Sequence, residues 1–167
     1  TVLLNIARFQ EVKNHTYLID VFKEYIKIHP NSHLLLVGDG PLRNTIENKV
    51  RKLKLANCIS FTGVRSDTEK MYNSADIFVM PSIFEGLPVV LIEAQANRLP
   101  CIVSDSIDHD VKINDNFNFL NIHLAPSEWA TAIKLCKKRR GQKSHKLDKL
   151  YDIKNIVKQL ASIYKEV

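Results

Sequence analysis

Residues 33–54 read HLLLVGDGPLRNTIENKVRKLK, and they hold the unit from which most of the chain is built. The first five residues form a largely apolar run of strand length, which the turn residues Gly38-Asp39-Gly40 end. Pro41 is then expected to open a helix, because a proline in the first turn removes no helical hydrogen bond. A buried strand that leads directly into a helix is typical of parallel α/β proteins.

The same alternation recurs along the sequence, since apolar runs of strand length alternate with segments whose apolar residues recur at helical spacing. Ser66 is expected to cap the third helix. The pattern predicts a single domain over residues 1–167, an α/β doubly wound, Rossmann-like parallel sheet of about six strands with helices on both faces. The expected strands are 2–7, 33–37, 58–61, 77–80, 100–103 and 117–120, and the expected helices are 14–29, 41–54, 66–74, 88–97, 127–138 and 153–166.

Length and composition exclude several classes of protein. A chain of 167 residues that is 45% hydrophobic is ample for a buried core and too apolar for a disordered protein. No apolar run approaches the roughly 18–20 residues of a membrane span. The scattered Cys58, Cys101 and Cys136 argue against a zinc site or a disulfide framework and suit a reducing compartment, so the cytoplasm is expected. Thr1, rather than Met, leads directly into the first strand, and we therefore expect a piece of a longer protein.

The net charge of +6 comes from one segment near the end of the sequence. Eight basic residues and one acidic residue lie between Lys134 and Lys149, while 16 basic and 17 acidic residues elsewhere nearly balance. No aromatic residues are interleaved with these charges, so a nucleic-acid partner is not expected. Two interpretations stay open: a solvated helix end and loop, or a segment that contacts an anionic membrane surface.

Ligands of doubly wound sheets bind outside the carboxyl ends of the strands, so the loops at that edge form the candidate site. They are expected at 8–14, 38–41, 62–66, 81–88 and 104–110. No G-x-G-x-x-G follows the first strand, which disfavours a nicotinamide dehydrogenase. Arg8 and Lys13 do follow it, and together they suit a diphosphate, although two basic residues in a loop are also common on protein surfaces.

Residues 81–94, PSIFEGLPVVLIEA, hold the most informative polar groups. Glu85 follows the fourth strand, Gly86 permits a close backbone approach, and Pro88 starts a helix whose N-terminus attracts phosphate. Glu93 interrupts an apolar stretch of that helix, so it needs a partner or water, and sugar hydroxyls would suit its carboxylate.

These residues resemble a known family, the C-terminal, nucleotide-sugar-binding half of family 4 glycosyltransferases, which have the two-Rossmann GT-B architecture. The supporting motifs occur in family order and look most like capsule or exopolysaccharide biosynthesis members. The family usually has a glycine before the arginine, where this chain has Ala7. The motifs are A-R-F-x-x-x-K-N (7–14), LLLVGDGPL (34–42), FTGV (61–64), ADIFVMPS (75–82) and EGLPVVLIEA (85–94).

The resemblance implies a role for each matching position. Arg8 and Lys13 would neutralise the donor diphosphate, and Glu85 would bind a hydroxyl of the donor sugar; these three are the implied catalytic residues. Glu93 would bind the ribose hydroxyls. The other implied donor-binding residues are Gly38 and Gly40, Val64 and Arg65 near the base, and Gly86, Leu87 and Val89, which would present backbone groups.

The resemblance further implies retaining transfer from a UDP-sugar to a polysaccharide or lipid-linked acceptor, with no cofactor and no essential metal. It places the acceptor site and the usual catalytic histidine in an N-terminal domain that this chain lacks, so the fragment is expected to be inactive alone. The protein is expected to be cytoplasmic, or peripheral at the inner face of the membrane. Two alternatives stay open: a noncatalytic nucleotide-binding or interaction module of the same fold, and a GT-B epimerase or sucrose-synthase-like relative.

Asp108-His109-Asp110 forms a D-x-D, the pattern by which another glycosyltransferase fold holds a metal. It follows the fifth strand, which is not the context that fold uses. We therefore interpret the match as coincidence.

Overall fold

The computed structural model describes residues 1–136 and residue 157. The strands are β1 Val2–Ile6, β2 His33–Val37, β3 Ile59–Phe61, β4 Ile77–Met80, β5 Cys101–Ser104 and β6 Phe117–Leu120. The helices are α1 His15–Ile28, α2 Arg43–Lys52, α3 Thr68–Ser74, α4 Val89–Ala96 and α5 Pro126–Leu135, with short 3-10 turns at Glu11–Lys13 and His109–Val111. Each of the six expected strands is confirmed. The helix expected at 153–166 and most of the basic segment lie outside the described residues.

All six strands are parallel and lie in the order β3-β2-β1-β4-β5-β6. The chain therefore moves outward from β1 to β3, returns across the sheet and continues from β4 to β6. Such an order places a switch point between β1 and β4, where the two strands lead to helices on opposite faces of the sheet. The doubly wound topology expected from the sequence is confirmed.

Two apolar clusters cover the two faces of the sheet. Along β1, Leu3 belongs to one cluster and Leu4 to the other, because successive side chains of a strand point to opposite faces. Helices α1, α2 and α5 contribute to the first cluster, and α3 and α4 to the second. The helices that the sequence placed on both faces are thus observed there. No helix among residues 1–136 is long and apolar enough to cross a membrane.

All five described helices begin one or two residues from the expected start, and three of these differences are informative. Helix α2 begins after Pro41 because the N–H of Leu42 donates to the carbonyl of Phe9 in the neighbouring loop (3.0 Å). Helix α3 begins at Thr68, so the expected cap at Ser66 is wrong; Asp67 precedes the helix instead.

The third difference is at α5, which begins at Pro126 rather than at residue 127. The carboxylate of Glu128 folds back and accepts the N–H of Ala125 at 2.8 Å, which fixes the chain just before the helix. Pro126 then occupies the first helical position, where it has no hydrogen bond to lose.

Candidate functional site

The loops that follow β1 and β4 lie side by side at the switch point. The N–H of Ile83 donates to the carbonyl of Val12 across them at 2.8 Å. Below them in the sheet, the buried Asn5 of β1 donates from Nδ2 to the carbonyl of Val79 in β4, also at 2.8 Å. A polar residue is therefore tolerated inside an apolar strand, because it bridges the two strands where the loops part.

Lys13 and Glu85 form an ion pair between these two loops. Lys13 Nζ lies 2.6 Å from both carboxylate oxygens of Glu85, and the side chains are only 18% and 10% exposed. A 3-10 turn ends at Lys13, and Asn14 then takes a left-handed conformation (φ 52°) that starts α1. The backbone of Glu85, in the loop after β4, is also fixed, because Glu85 forms an isolated parallel β-bridge with Ile107. Two residues that the sequence assigned separate roles are thus in direct contact.

Glu93 lies on α4 and has a partner that sequence reasoning missed. The hydroxyl of Tyr72, from α3, donates to Glu93 Oε2 at 2.7 Å. Burial and the adjacent carboxylate both raise the pKa of Tyr72, so the hydroxyl keeps its proton. No local signal in the sequence connects Tyr72 with Glu93.

Several apolar side chains in the loop before α4 and at the start of that helix are exposed to solvent. Leu87 and Val89 are 60% and 62% exposed, and no atom beyond the adjacent residues lies within 4 Å of a Cβ built on Gly86. Pro88 immediately precedes α4, so free backbone N–H groups of the first helical turn lie at this edge of the sheet. Gly86, Leu87 and Val89 are therefore placed at a helix N-terminus next to the Lys13–Glu85 pair, an arrangement that favours anions.

Gly38 and Gly40 hold the loops after β1 and β2 together. A Cβ on Gly38 would lie 2.1 Å from the carbonyl oxygen of Ala7, and one on Gly40 would lie 2.7 Å from the nitrogen of Phe9. The close approach allows the N–H of Phe9 to donate to the carbonyl of Asp39 at 2.9 Å. Both glycines thus have a packing role, and direct donor binding by them stays a prediction.

The other predicted residues are spread along the same edge. Arg8 is exposed in the loop after β1, and it belongs to no ion pair within residues 1–136. Val64 (80% exposed) and Arg65 follow β3, so β2 and β1 separate them from Glu85. Arg65 is engaged by Asp67, at 2.8 and 2.7 Å, an ion pair that the sequence did not indicate.

His15 is a buried residue of the site that the sequence analysis did not single out. The residue is 2% exposed, and its ring packs edge-on against Phe9 with ring centroids 4.5 Å apart. Burial, and secondarily the charge of Lys13, lower the pKa of His15 to about 4, so the imidazole is neutral at physiological pH.

The D-x-D is part of a short turn. Asp108 Oδ1 accepts the N–H of Asp110 at 2.9 Å, and the ring of His109 stacks on Phe119 with centroids 4.0 Å apart. The two acidic residues thus occur at this spacing within a local turn motif.

The sequence matches known glycosyltransferases. "Putative glycosyltransferase EpsF" of Bacillus subtilis (strain 168) is 44% identical over 110 residues, which are 66% of this chain and 29% of that protein. UDP-Gal:alpha-D-GlcNAc-diphosphoundecaprenol alpha-1,3-galactosyltransferase of Escherichia coli is 32% identical over 126 residues, 74% of this chain and 33% of that protein. The chain therefore spans a third or less of the length of these curated relatives.

Solved structures share the fold. The crystal structure of Anabaena Alr3699/HepE in complex with UDP matches with a TM-score of 0.82 at 19% identity, over 99% of this chain and 49% of that one. The fold expected from the sequence, a doubly wound Rossmann-like sheet of the kind found in GT-B glycosyltransferases, is confirmed. A family model described as glycosyl transferases group 1 matches residues 1–150. With its motifs in family order along a sheet of this topology, the chain belongs to the group 1 glycosyl transferases.

Proposed function

We propose that this chain binds the nucleotide-sugar donor of a retaining glycosyltransferase. The observation that carries the proposal is the Lys13–Glu85 pair, which joins a cation and a carboxylate between the two loops of the switch point. A nucleotide diphosphate sugar needs both kinds of group next to each other, because its anionic diphosphate is bonded directly to a sugar rich in hydroxyls. The assignment is supported by two relatives, EpsF, which is named as a putative glycosyltransferase, and the E. coli galactosyltransferase, which is named for UDP-Gal.

The diphosphate would lie between the loop after β1 and the N-terminus of α4. Arg8 is exposed there and available for a bidentate contact, while Lys13 has three donor hydrogens and so can bond a phosphate oxygen without leaving Glu85. Glu85 would then accept a hydrogen bond from a hydroxyl of the donor sugar, and Glu93 would accept hydrogen bonds from the ribose hydroxyls. Gly86 and Leu87, both exposed, complete the same edge.

The same groups suit the bond that breaks in transfer. As the bond between the sugar carbon and the β-phosphate oxygen lengthens, negative charge accumulates on the leaving diphosphate. Preorganised cations and a helix N-terminus stabilise that charge more than they stabilise the bound donor, which lowers the barrier. In this proposal Arg8 and Lys13 supply the stabilisation.

Ligand-observed NMR titrations of this chain with UDP, GDP and ADP test the donor assignment. UDP is the expected ligand, since the E. coli relative is named for a UDP-sugar. Glu93→Gln is expected to weaken binding, because the amide keeps the shape of the side chain and loses its charge. Glu69→Gln, on the exposed face of α3, is the matched control and should bind like the wild type. Absence of saturable binding at millimolar nucleotide would contradict the proposal.

We also propose that donor binding needs no divalent metal. The charge of the diphosphate is balanced in this proposal by Arg8, Lys13 and the α4 N-terminus. The dissociation constant for UDP should therefore be the same in EDTA and in magnesium. A tenfold tightening by magnesium would sink this part of the proposal.

Transfer itself is expected to need more than this chain, which spans a third or less of its curated relatives. The purified chain should bind donor and release no product from it when an acceptor is offered. Detectable transfer would overturn that expectation.

We propose a lipid-linked or glycan acceptor. The E. coli relative is named for a diphosphoundecaprenol acceptor, and the basic segment between Lys134 and Lys149 gives this chain a means of contacting anionic membrane. Co-sedimentation with vesicles that contain anionic lipid should be lost when the segment is neutralised to glutamine. Binding that ignores those charges would count against the membrane contact.

A further inference from the structure

We propose that Tyr72 is a positioning residue that holds the Glu93 carboxylate in the orientation in which it binds the donor ribose. The inference rests on the proposed donor-binding function and assigns a specificity role to a residue outside the exposed edge of the site.

Packing fixes the ring of Tyr72, and hydrogen bonds fix its hydroxyl. Its side chain, from α3, is 1% exposed and lies in the apolar cluster that α3 and α4 share, with its ring 6.0 Å from that of Phe78. Its hydroxyl lies 2.7 Å from Glu93 Oε2 and 3.2 Å from the carbonyl of Val90, both on α4. The shorter contact is to the charged acceptor, which makes it the stronger of the two.

Glu93 needs such an anchor more than most carboxylates do. A glutamate has three rotatable side-chain bonds, so holding it ready for a ligand costs conformational entropy unless a neighbour fixes it in advance. The other residues of α4 around it are mostly apolar (VVLIEAQA) and offer few alternatives. A bond to Oε2 also leaves acceptor sites on the carboxylate for hydroxyl groups, because an ionised carboxylate has about four of them.

A role that is only structural makes a different prediction. If Tyr72 merely stabilised the packing of α3 against α4, loss of its hydroxyl would lower the stability of the protein and affect all nucleotides equally. If Tyr72 positions Glu93, loss of its hydroxyl should weaken the binding of nucleotides that carry ribose hydroxyls and leave the binding of nucleotides without them nearly unchanged.

The experiment compares Tyr72→Phe with Tyr17→Phe in this chain. Tyr17 is the matched control, because its hydroxyl also donates one short bond, to the carbonyl of Leu124 at 2.7 Å, in the cluster on the opposite face of the sheet. Dissociation constants are measured by ligand-observed NMR for UDP and for 2′,3′-dideoxy-UDP, which lacks both ribose hydroxyls. Thermal unfolding followed by circular dichroism shows that each variant is folded.

Tyr72→Phe is expected to weaken UDP binding about tenfold or more, as expected for the loss of a hydrogen bond to a charged group, and to leave dideoxy-UDP nearly unchanged. The wild-type preference for UDP over its dideoxy analogue should shrink accordingly. Tyr17→Phe should lower the melting temperature and leave both constants unchanged. In a Glu93→Gln background, Tyr72→Phe should have little further effect.

Equal weakening of both nucleotides by Tyr72→Phe, or no weakening of UDP, overturns the inference while Glu93→Gln still supports donor binding. If the wild type binds UDP and dideoxy-UDP equally well, the ribose role of Glu93 fails, and the inference fails with it. Failure of the wild type to bind any of the nucleotides overturns the proposed function itself.

Discussion

Lys13 and Glu85 lie 72 positions apart in the sequence and within 2.6 Å in space. Both side chains are largely buried, so each neutralises a charge that would otherwise be costly to remove from water. Under the proposed function, the pair would also hold the groups that contact phosphate and sugar in a defined geometry before the donor binds. At the residue scale the pair contributes to stability, and in that proposal it also preorganises the site.

A double-mutant cycle with Lys13→Met and Glu85→Gln is expected to give a coupling free energy of about 1–3 kcal/mol, because each single change leaves its partner buried without a counter-charge. Urea unfolding of the four proteins measures it. The exposed pair Lys27–Glu24 is the control, with an expected coupling of about 0.5 kcal/mol or less. Equal coupling energies for the two pairs would contradict the buried character of the first.

His15 makes stability depend on pH in a direction set by its burial. Its pKa falls from 6.5 in the unfolded chain to about 4 in the folded one. Between these values the unfolded state binds a proton that the folded state does not, so stability is lost as the pH falls. From pH 7 to pH 5 the free energy of unfolding should drop by about 2 kcal/mol on account of His15.

The measurement is urea unfolding at pH 7 and pH 5 for the wild type, for His15→Leu and for His123→Gln, whose side chain is exposed. The drop in the free energy of unfolding between pH 7 and pH 5 should be about 2 kcal/mol smaller in His15→Leu than in the wild type. In His123→Gln the drop should equal that of the wild type. The same loss in all three proteins would exclude His15 as its source.

At the scale of elements, the loops matter as much as the strands. The turn at Gly38-Asp39-Gly40 presses against residues 7–9, and the Leu42 N–H reaches the Phe9 carbonyl before α2 begins. The loop that carries Arg8 is thereby fixed to the loop after β2. This contact explains why α2 starts later than its proline indicates.

Gly38→Ala is expected to destabilise the protein by about 2 kcal/mol or more, because the added Cβ would meet the Ala7 carbonyl oxygen and Gly38 has a φ of +131°. Gly86→Ala is the control: it has open space around the added atom, and its effect should stay within about 0.5 kcal/mol. Thermal and urea unfolding measure both. A Gly38→Ala protein as stable as Gly86→Ala would show that the two loops separate at little cost.

At the scale of the whole molecule, one sheet separates two apolar clusters and belongs to both. Trp129, the single tryptophan, is fully buried on the α1 and α5 face, and its Nε1 donates to the carbonyl of Asn121 at 3.0 Å. Leu91 is fully buried on the other face. Because every strand contributes side chains to one or both clusters, we expect the two to unfold together.

Trp129 fluorescence and far-ultraviolet circular dichroism should therefore give the same urea midpoint. Leu91→Ala removes buried methyl groups on the face away from Trp129. It should lower the free energy of unfolding by about 2–5 kcal/mol and shift the two urea midpoints equally. Leu18→Ala, on the same face as Trp129, is the matched variant. A shift of the circular dichroism midpoint alone in Leu91→Ala would mean that the faces unfold independently.

Local patterns in the sequence determined much of this architecture. The strand from His33 to Val37 was predicted with its exact bounds, because a largely buried strand leaves a short apolar run between turn residues. Helical spacing likewise predicted α1, and the order of strands and helices predicted the parallel, doubly wound sheet. The loops that carry Arg8, Lys13 and Glu85 followed from the rule that such sheets bind ligands at one edge.

Only the tertiary structure decided which side chains meet. The Lys13–Glu85 ion pair depends on β1 lying beside β4, the Tyr72–Glu93 bond on α3 lying beside α4, and the start of α2 on a carbonyl from the first loop. Hydrophobic periodicity shows which face of an element is buried, since burial leaves a repeating pattern along the chain. A contact between polar groups of distant segments leaves no such pattern, because it depends on strand order and loop conformation rather than on spacing.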